Sequence, residues 1–97
     1  MAKGYWIARV DVRDPEAYKA YVEGAAEAFA RHGGKFLARG GRCRAMEGQG
    51  RARNVVIEFP SYDAAVACYE DAVYQRARSF RLPASEGEIV IVEGGGP

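Results

Sequence analysis

The sequence predicts a single α+β domain, a β-α-β-β-α-β sandwich in which two helices cover one face of a four-stranded antiparallel sheet. Three observations carry this expectation. Side-chain classes alternate at the start and in the middle of the chain, helical periodicity fills the two stretches that follow those strands, and 97 residues leave room for only one core.

The first strand is read over Tyr5 to Val12, where Trp6, Ala8, Val10 and Val12 alternate with Tyr5, Ile7, Arg9 and Asp11. Asp14-Pro15-Glu16 then supplies an N-cap, a proline at the first helical position and an acid in the first turn. The helix that follows carries Tyr18, Tyr21, Val22, Ala25 and Phe29 on one stripe, and Gly33-Gly34 ends it. Lys35 to Arg39 and Asn54 to Phe59 read as the two strands of a hairpin. Between them, Arg42 to Arg53 is too polar and glycine-rich for core structure and reads as a long connection. Ser61 caps a second helix with apolar positions Tyr62, Ala65, Val66, Tyr69, Val73 and Phe80, a weak stretch at Asp71 to Val73 that marks a kink, and a stop at Leu82-Pro83. Ile89 to Val92 is the last strand, and Gly94 to Pro97 reads as a frayed end. The domain is expected over residues 3–94, as the one domain of 1–97, with spatial strand order 4-1-3-2, a ferredoxin-like arrangement.

Fourteen basic and thirteen acidic side chains leave a charge of +1, which gives no electrostatic footprint for nucleic acid or an anionic membrane. The third strand lacks a ribonucleoprotein signature, and the acidic turn at Asp11 to Asp14 is unsuited to an acylphosphatase-like anion loop. Neither an apolar signal core nor a run of about 20 apolar residues is present, so a cytoplasmic protein is expected. Cys43 and Cys68 have neither CxxC spacing nor histidine neighbours, and read as free thiols, Cys68 in helix core and Cys43 in a loop. No metal site and no cofactor are expected.

Aligning the alternation assigns Trp6, Ala8, Val10, Phe36, Ala38, Val55, Ile57, Phe59, Val90 and Val92 to the helix-covered face. The opposite face then holds Tyr5, Ile7, Arg9, Leu37, Arg39, Val56, Glu58, Ile89 and Ile91, too apolar for a monomer to leave in water. A homodimer packed through that free sheet face is the simplest cover.

Several segments resemble the small bacterial family called domain of unknown function 1330. They are Lys3 to Val12, Asp14 to Tyr18, Gly33 to Gly41, Met46-Glu47-Gly48, Arg53 to Ser61 and Val92-Glu93-Gly94, which together span nearly the whole chain. The resemblance implies the dimeric α/β-barrel superfamily and a homodimer, and it implies no established activity. Two departures stand out: Asp71-Ala72-Val73-Tyr74-Gln75 replaces the commoner Ser-Pro-Glu-Tyr-Gln, and His32 stands where a tyrosine is frequent.

The chemistry is expected in a few groups. Arg9, Arg39 and Glu58 share parity on neighbouring strands and are expected to cluster, either as an interface ion network or as a pocket whose spare positive charge holds a small acid. His32 is read chiefly as a helix cap, and with Glu58 it is the weak candidate for a catalytic base. Trp6, Tyr69 and Tyr74 are candidate cavity-lining groups. The leading functional expectation is therefore an uncharacterised homodimer that binds a small acidic or aromatic organic molecule between sheet and helices. The alternatives are a cofactor-independent oxygenase or isomerase of the dimeric α/β-barrel type, which rests on fold analogy, and a structural dimer without ligand.

Overall fold

The computed structural model describes residues 2–95. Strand β1 (Gly4–Val12) leads to α1 (Pro15–Arg31), then β2 (Lys35–Arg39), β3 (Arg53–Phe59), α2 (Tyr62–Glu70), α3 (Ala72–Ala84) and β4 (Ser85–Glu93). The sheet order is β2-β3-β1-β4 with every pair antiparallel, the expected 4-1-3-2 arrangement. The caps read from sequence are in place. Asp14 accepts from the Ala17 amide at 3.2 Å and Ser61 from the Ala64 amide at 3.0 Å. Gly33 takes a φ of 77° just beyond the end of α1, a conformation that costs glycine nothing.

The second helical stretch is two helices. Asp71 is at once the C-cap of α2 and the N-cap of α3, accepting from the Val73 amide at 2.8 Å. The break resets the helical phase, so the buried stripe of α3 is Tyr74, Ala77, Arg81 and Ala84, while Phe80 is exposed. Nor does Pro83 stop the helix. It lies in the last turn, where only one ladder bond is forfeited, and the Ser85 hydroxyl donates to the Arg81 carbonyl at 2.9 Å. Strand β4 is also longer than expected, because Ser85 to Glu93 pairs with the whole of β1. Gly94 is tied down by its amide, which donates to the Lys3 carbonyl at 2.6 Å; Gly96 and Pro97 lie outside the described residues.

The core lies between the sheet and the helices and centres on Trp6, whose indole N–H donates to the Ala65 carbonyl at 2.8 Å. Trp6, Ala8, Val10, Val55, Ile57 and Phe59 face the helices as expected. On two strands the assignment of faces is corrected. Ile89 and Ile91 stand opposite Ala8 and Trp6 and pack on the core, whereas Val90 and Val92 share the outer face with Ile7 and Tyr5. In β2 the register shifts between Phe36 and Ala38, so that Ala38 pairs with Val56 on the outer face and Arg39 pairs with Val55 on the helix side. One extra residue at a β-bulge inverts the parity of everything beyond it.

Candidate functional site

A cavity of about 40 Å³ lies between the sheet, α1 and α3. Its apolar wall includes Trp6 from β1, Tyr18, Tyr21 and Phe29 from α1, and Phe36 from β2. Into this wall three guanidinium groups converge: Arg39 from β2, Arg53 from β3 and Arg81 from α3.

Each arginine is placed by a local feature. The bulge turns Arg39 to the helix side, where it remains exposed and its guanidinium carbon lies 4.0 Å from the Phe36 ring centroid. Arg53 stands opposite Val10 on the helix-facing side, 5.5 Å from the Tyr18 ring, and is overlaid by Gly40. A Cβ on Gly40 would sit 2.5 Å from an Arg53 terminal nitrogen, and its φ of 70° favours glycine as well. Arg81 occupies the buried stripe of α3, is 7% exposed, and holds its guanidinium 5.3 Å from the Tyr21 ring.

The electrostatics of the cavity are one-sided. None of its lining residues is acidic, and none of the ion pairs among the described residues involves Arg39, Arg53 or Arg81. The Nε atoms of Arg53 and Arg81 are buried with no hydrogen-bond partner among the described residues. Beside them the Tyr21 and Tyr74 hydroxyls meet at 3.1 Å, and burial pushes both phenols above their ordinary range. They are therefore neutral donors at physiological pH and supply no compensating negative charge. For Arg81, burial opposes the cation, and the Tyr74 and Tyr21 oxygens that raise its pKa act mainly through phenolate charge, which is absent while both phenols are neutral. Cys68 is buried behind this layer, and its thiol is pushed up to about 12 by burial and by Asp71, which leaves it no nucleophile.

The predicted cluster of Arg9, Arg39 and Glu58 does not form, because Arg39 is on the helix side and the other two are on the outer face. Arg9 donates to the Gln49 carbonyl at 2.8 Å, and Glu58 accepts from the Tyr5 hydroxyl at 3.4 Å. At the same end of the sheet Arg51 pairs with Asp11 at 3.0 Å and Glu88 at 2.6 Å, fastening the long β2–β3 connection. His32 is the C-cap of α1 and donates from Nε2 to Asp71 at 2.8 Å, joined there by Arg31 at 3.0 Å. The His32 contact and the Val73 amide hold the Asp71 carboxyl below its ordinary range. His32 thus staples α1 to the α2–α3 junction, and neither it nor Glu58 lines the cavity.

Trp6 and Arg39 do line it, Tyr74 backs it through Tyr21, and Tyr69 stacks behind Tyr74 at 5.3 Å between ring centroids. The residues that sequence reasoning did not single out are Arg53 and Arg81. Arg53 shares the parity of Val55 and Ile57, a signal that was open to reading; Arg81 was hidden by the change of helical phase. Among the described residues there is no group of three histidine, cysteine or acidic side chains that could hold a metal ion, and no helix is long and apolar enough to cross a membrane.

Comparison with known proteins places this geometry in a wider setting. Residues 3–95 match the family model described as Domain of unknown function (DUF1330). No curated protein matches the chain. Among solved structures, the RPA0582 protein of Rhodopseudomonas palustris is 23% identical with a TM-score of 0.78, over 99% of this chain and 85% of that one. SnoaB, a cofactor-independent oxygenase from Streptomyces nogalater, is 16% identical with a TM-score of 0.66, over 100% and 97% of the two chains. A hypothetical protein of Arabidopsis thaliana is 12% identical with a TM-score of 0.70, over 100% and 90%. At these identities the likeness establishes a shared ferredoxin-like fold.

Proposed function

The chain belongs to the DUF1330 family, and from that premise we propose that it binds a small organic acid, with the acid group in the cavity between sheet and helices. One observation carries this reading: three guanidinium groups converge on an aromatic cavity that has no acidic residue in its wall. Arg81 is buried, Arg53 is half-buried and Arg39 is exposed on the helix side; a desolvated guanidinium calls for an anion, and a carboxylate fits the forked donors of all three. The volume of about 40 Å³ suits a carboxylate head group, against the roughly 150 Å³ that admits benzene. Trp6, Tyr21 and Tyr74 then form the apolar and hydroxyl-bearing backing against which the head group is oriented.

The protein works as a homodimer in this proposal. The outer sheet face leaves Ile7, Val90 and Val92 exposed in a single chain, and Leu37 is exposed at the β2 bulge, apolar side chains of the kind that a second copy covers. Arg9 and Glu58 belong to that interface rather than to the cavity. A cofactor-independent oxygenase is a weaker reading. Such chemistry needs a group that can take a proton from substrate, and His32 and Glu58, its two candidates, are outside the cavity wall.

Binding is tested by calorimetric titration and thermal shift with benzoate. Millimolar benzoate should raise the unfolding temperature of the natural chain, and Arg39→Ala and Arg53→Gln should each lose most of that rise. No shift with benzoate, or a shift unchanged in both variants, rejects the anion site. For the assembly, sedimentation at micromolar concentration should give a species of twice the chain mass, and a stable monomer rejects the dimer.

A further inference from the structure

The far side of Arg81 opens on a second space. A groove of about 470 Å³ runs between α2, α3 and the free edge of β4, with Tyr62, Val66, Leu82 and Val90 on its walls. Arg81 and Ile89 line both this groove and the cavity, so the two compartments adjoin. Arg78 also faces the groove, three residues before Arg81 and on the same side of α3.

Arg78 repeats the pattern of the cavity arginines. Its Nε is buried without a hydrogen-bond partner among the described residues, and its guanidinium lies over the Tyr69 ring at 6.0 Å. The groove has no acidic lining residue, and no ion pair among the described residues involves Arg78. A neutral tail laid in the groove would deepen the burial of that cation and leave it unpaired, whereas a second acid group would pair it.

We infer that cavity and groove form one elongated site for an organic dianion, a diacid with an apolar middle. One carboxylate lies with Arg39 and Arg53 in the cavity, the other with Arg78 in the groove, and Arg81 stands between them. This deepens the reading of the cavity as an acid site and rests on it. It also accounts for the volumes, since the cavity takes a head group only and the groove has room for a ring.

The test uses three probes on the whole chain at fixed ionic strength: benzoate, 4-ethylbenzoate and 1,4-benzenedicarboxylate. Calorimetry should show the dicarboxylate binding about tenfold or more tighter than either monoacid, the scale of one added charge-assisted contact. Arg78→Gln should remove that advantage and leave benzoate affinity within about twofold, and Arg78→Lys, which keeps the charge without the fork, should give an intermediate loss. A dicarboxylate no tighter than 4-ethylbenzoate overturns the inference and leaves the cavity reading standing. Equal losses for benzoate and dicarboxylate in Arg78→Gln do the same. Failure of all three probes to bind overturns the cavity reading itself.

Discussion

Replacing Arg81 by methionine should stabilise the ligand-free protein while weakening its hold on benzoate. Met keeps an unbranched apolar stem at this buried position of α3 and discards the guanidinium. Removing that head forfeits its contact with the Tyr21 ring, 5.3 Å away, a loss of about 0.5–2 kcal/mol for a desolvated cation over an aromatic face. Against this, the change relieves a buried Nε donor that has no partner, which costs about 1–3 kcal/mol, and a largely desolvated charge with no carboxylate beside it, which adds further. The second sum is the larger, so the ligand-free variant should gain roughly 1 kcal/mol. For a chain of this size that is a rise of about 4–8 °C in Tm. Most substitutions at buried positions instead lose about 0.5–3 kcal/mol, which makes the sign itself diagnostic. Urea and thermal unfolding without ligand measure the first half; the same scans with benzoate measure the second. A variant that melts 4 °C or more below the natural chain and keeps its full benzoate shift refutes the reasoning on both counts.

Three further outcomes follow from other parts of the fold. Gly87→Ala in β4 should lower stability by about 1–3 kcal/mol in urea titration, because the new Cβ would lie 2.3 Å from the Arg9 carbonyl oxygen and 3.0 Å from the Val10 Cα, neither of which can swing aside. Asp71→Asn should flatten the acid limb of the stability profile. The carboxyl of Asp71 is held below its ordinary value in the fold, so its contribution is complete above the unfolded carboxylate range and disappears as pH falls through the depressed value, below about pH 4. Circular dichroism melts between pH 2 and 6 compare the two chains, and parallel profiles refute the role given to the His32–Asp71 contact. Val92→Lys should convert the dimer to monomer in sedimentation without loss of the benzoate shift, since Val92 is exposed on the outer face and lines neither the cavity nor the groove; a variant that stays dimeric removes the outer face from the interface.

The element order was legible because its punctuation is chemical. Asp14-Pro15, Gly33-Gly34 and Ser61 each meet a specific need of a helix end, and alternation in β1 and β3 states which residues face the core. What was not legible follows from signals that cancel or shift. Ile89 to Val92 is apolar throughout, so alternation cannot assign its faces; pairing with β1 decides it. The bulge in β2 is a single extra residue with no glycine or proline to announce it, yet it moves Arg39 through the sheet. In α3 the stripe starts afresh at Asp71. Counted from Tyr69 at about 100° per residue, an unbroken helix brings Phe80 back to within about 20° of the stripe and leaves Tyr74 and Arg81 about 120–140° off it, so a continuous reading places Phe80 inward and misses Arg81.

These shifts determine how the molecule divides its tasks. A strand sends successive side chains to opposite faces, so one sheet can present an assembly surface on one side and a site on the other. Here the outer face carries Ile7, Val90, Val92, Arg9 and Glu58, and the inner face carries Arg53 and, through the bulge, Arg39. Without the extra residue Arg39 would join Arg9 outside, and the cavity would lose one of its three cations to the interface. The separation has a consequence for variants. Changes at Ile7 or Val92 on the outer face should alter association and leave acid binding intact, and changes to Arg39, Arg53 or Arg81 should do the reverse, because the sheet lies between the two sets.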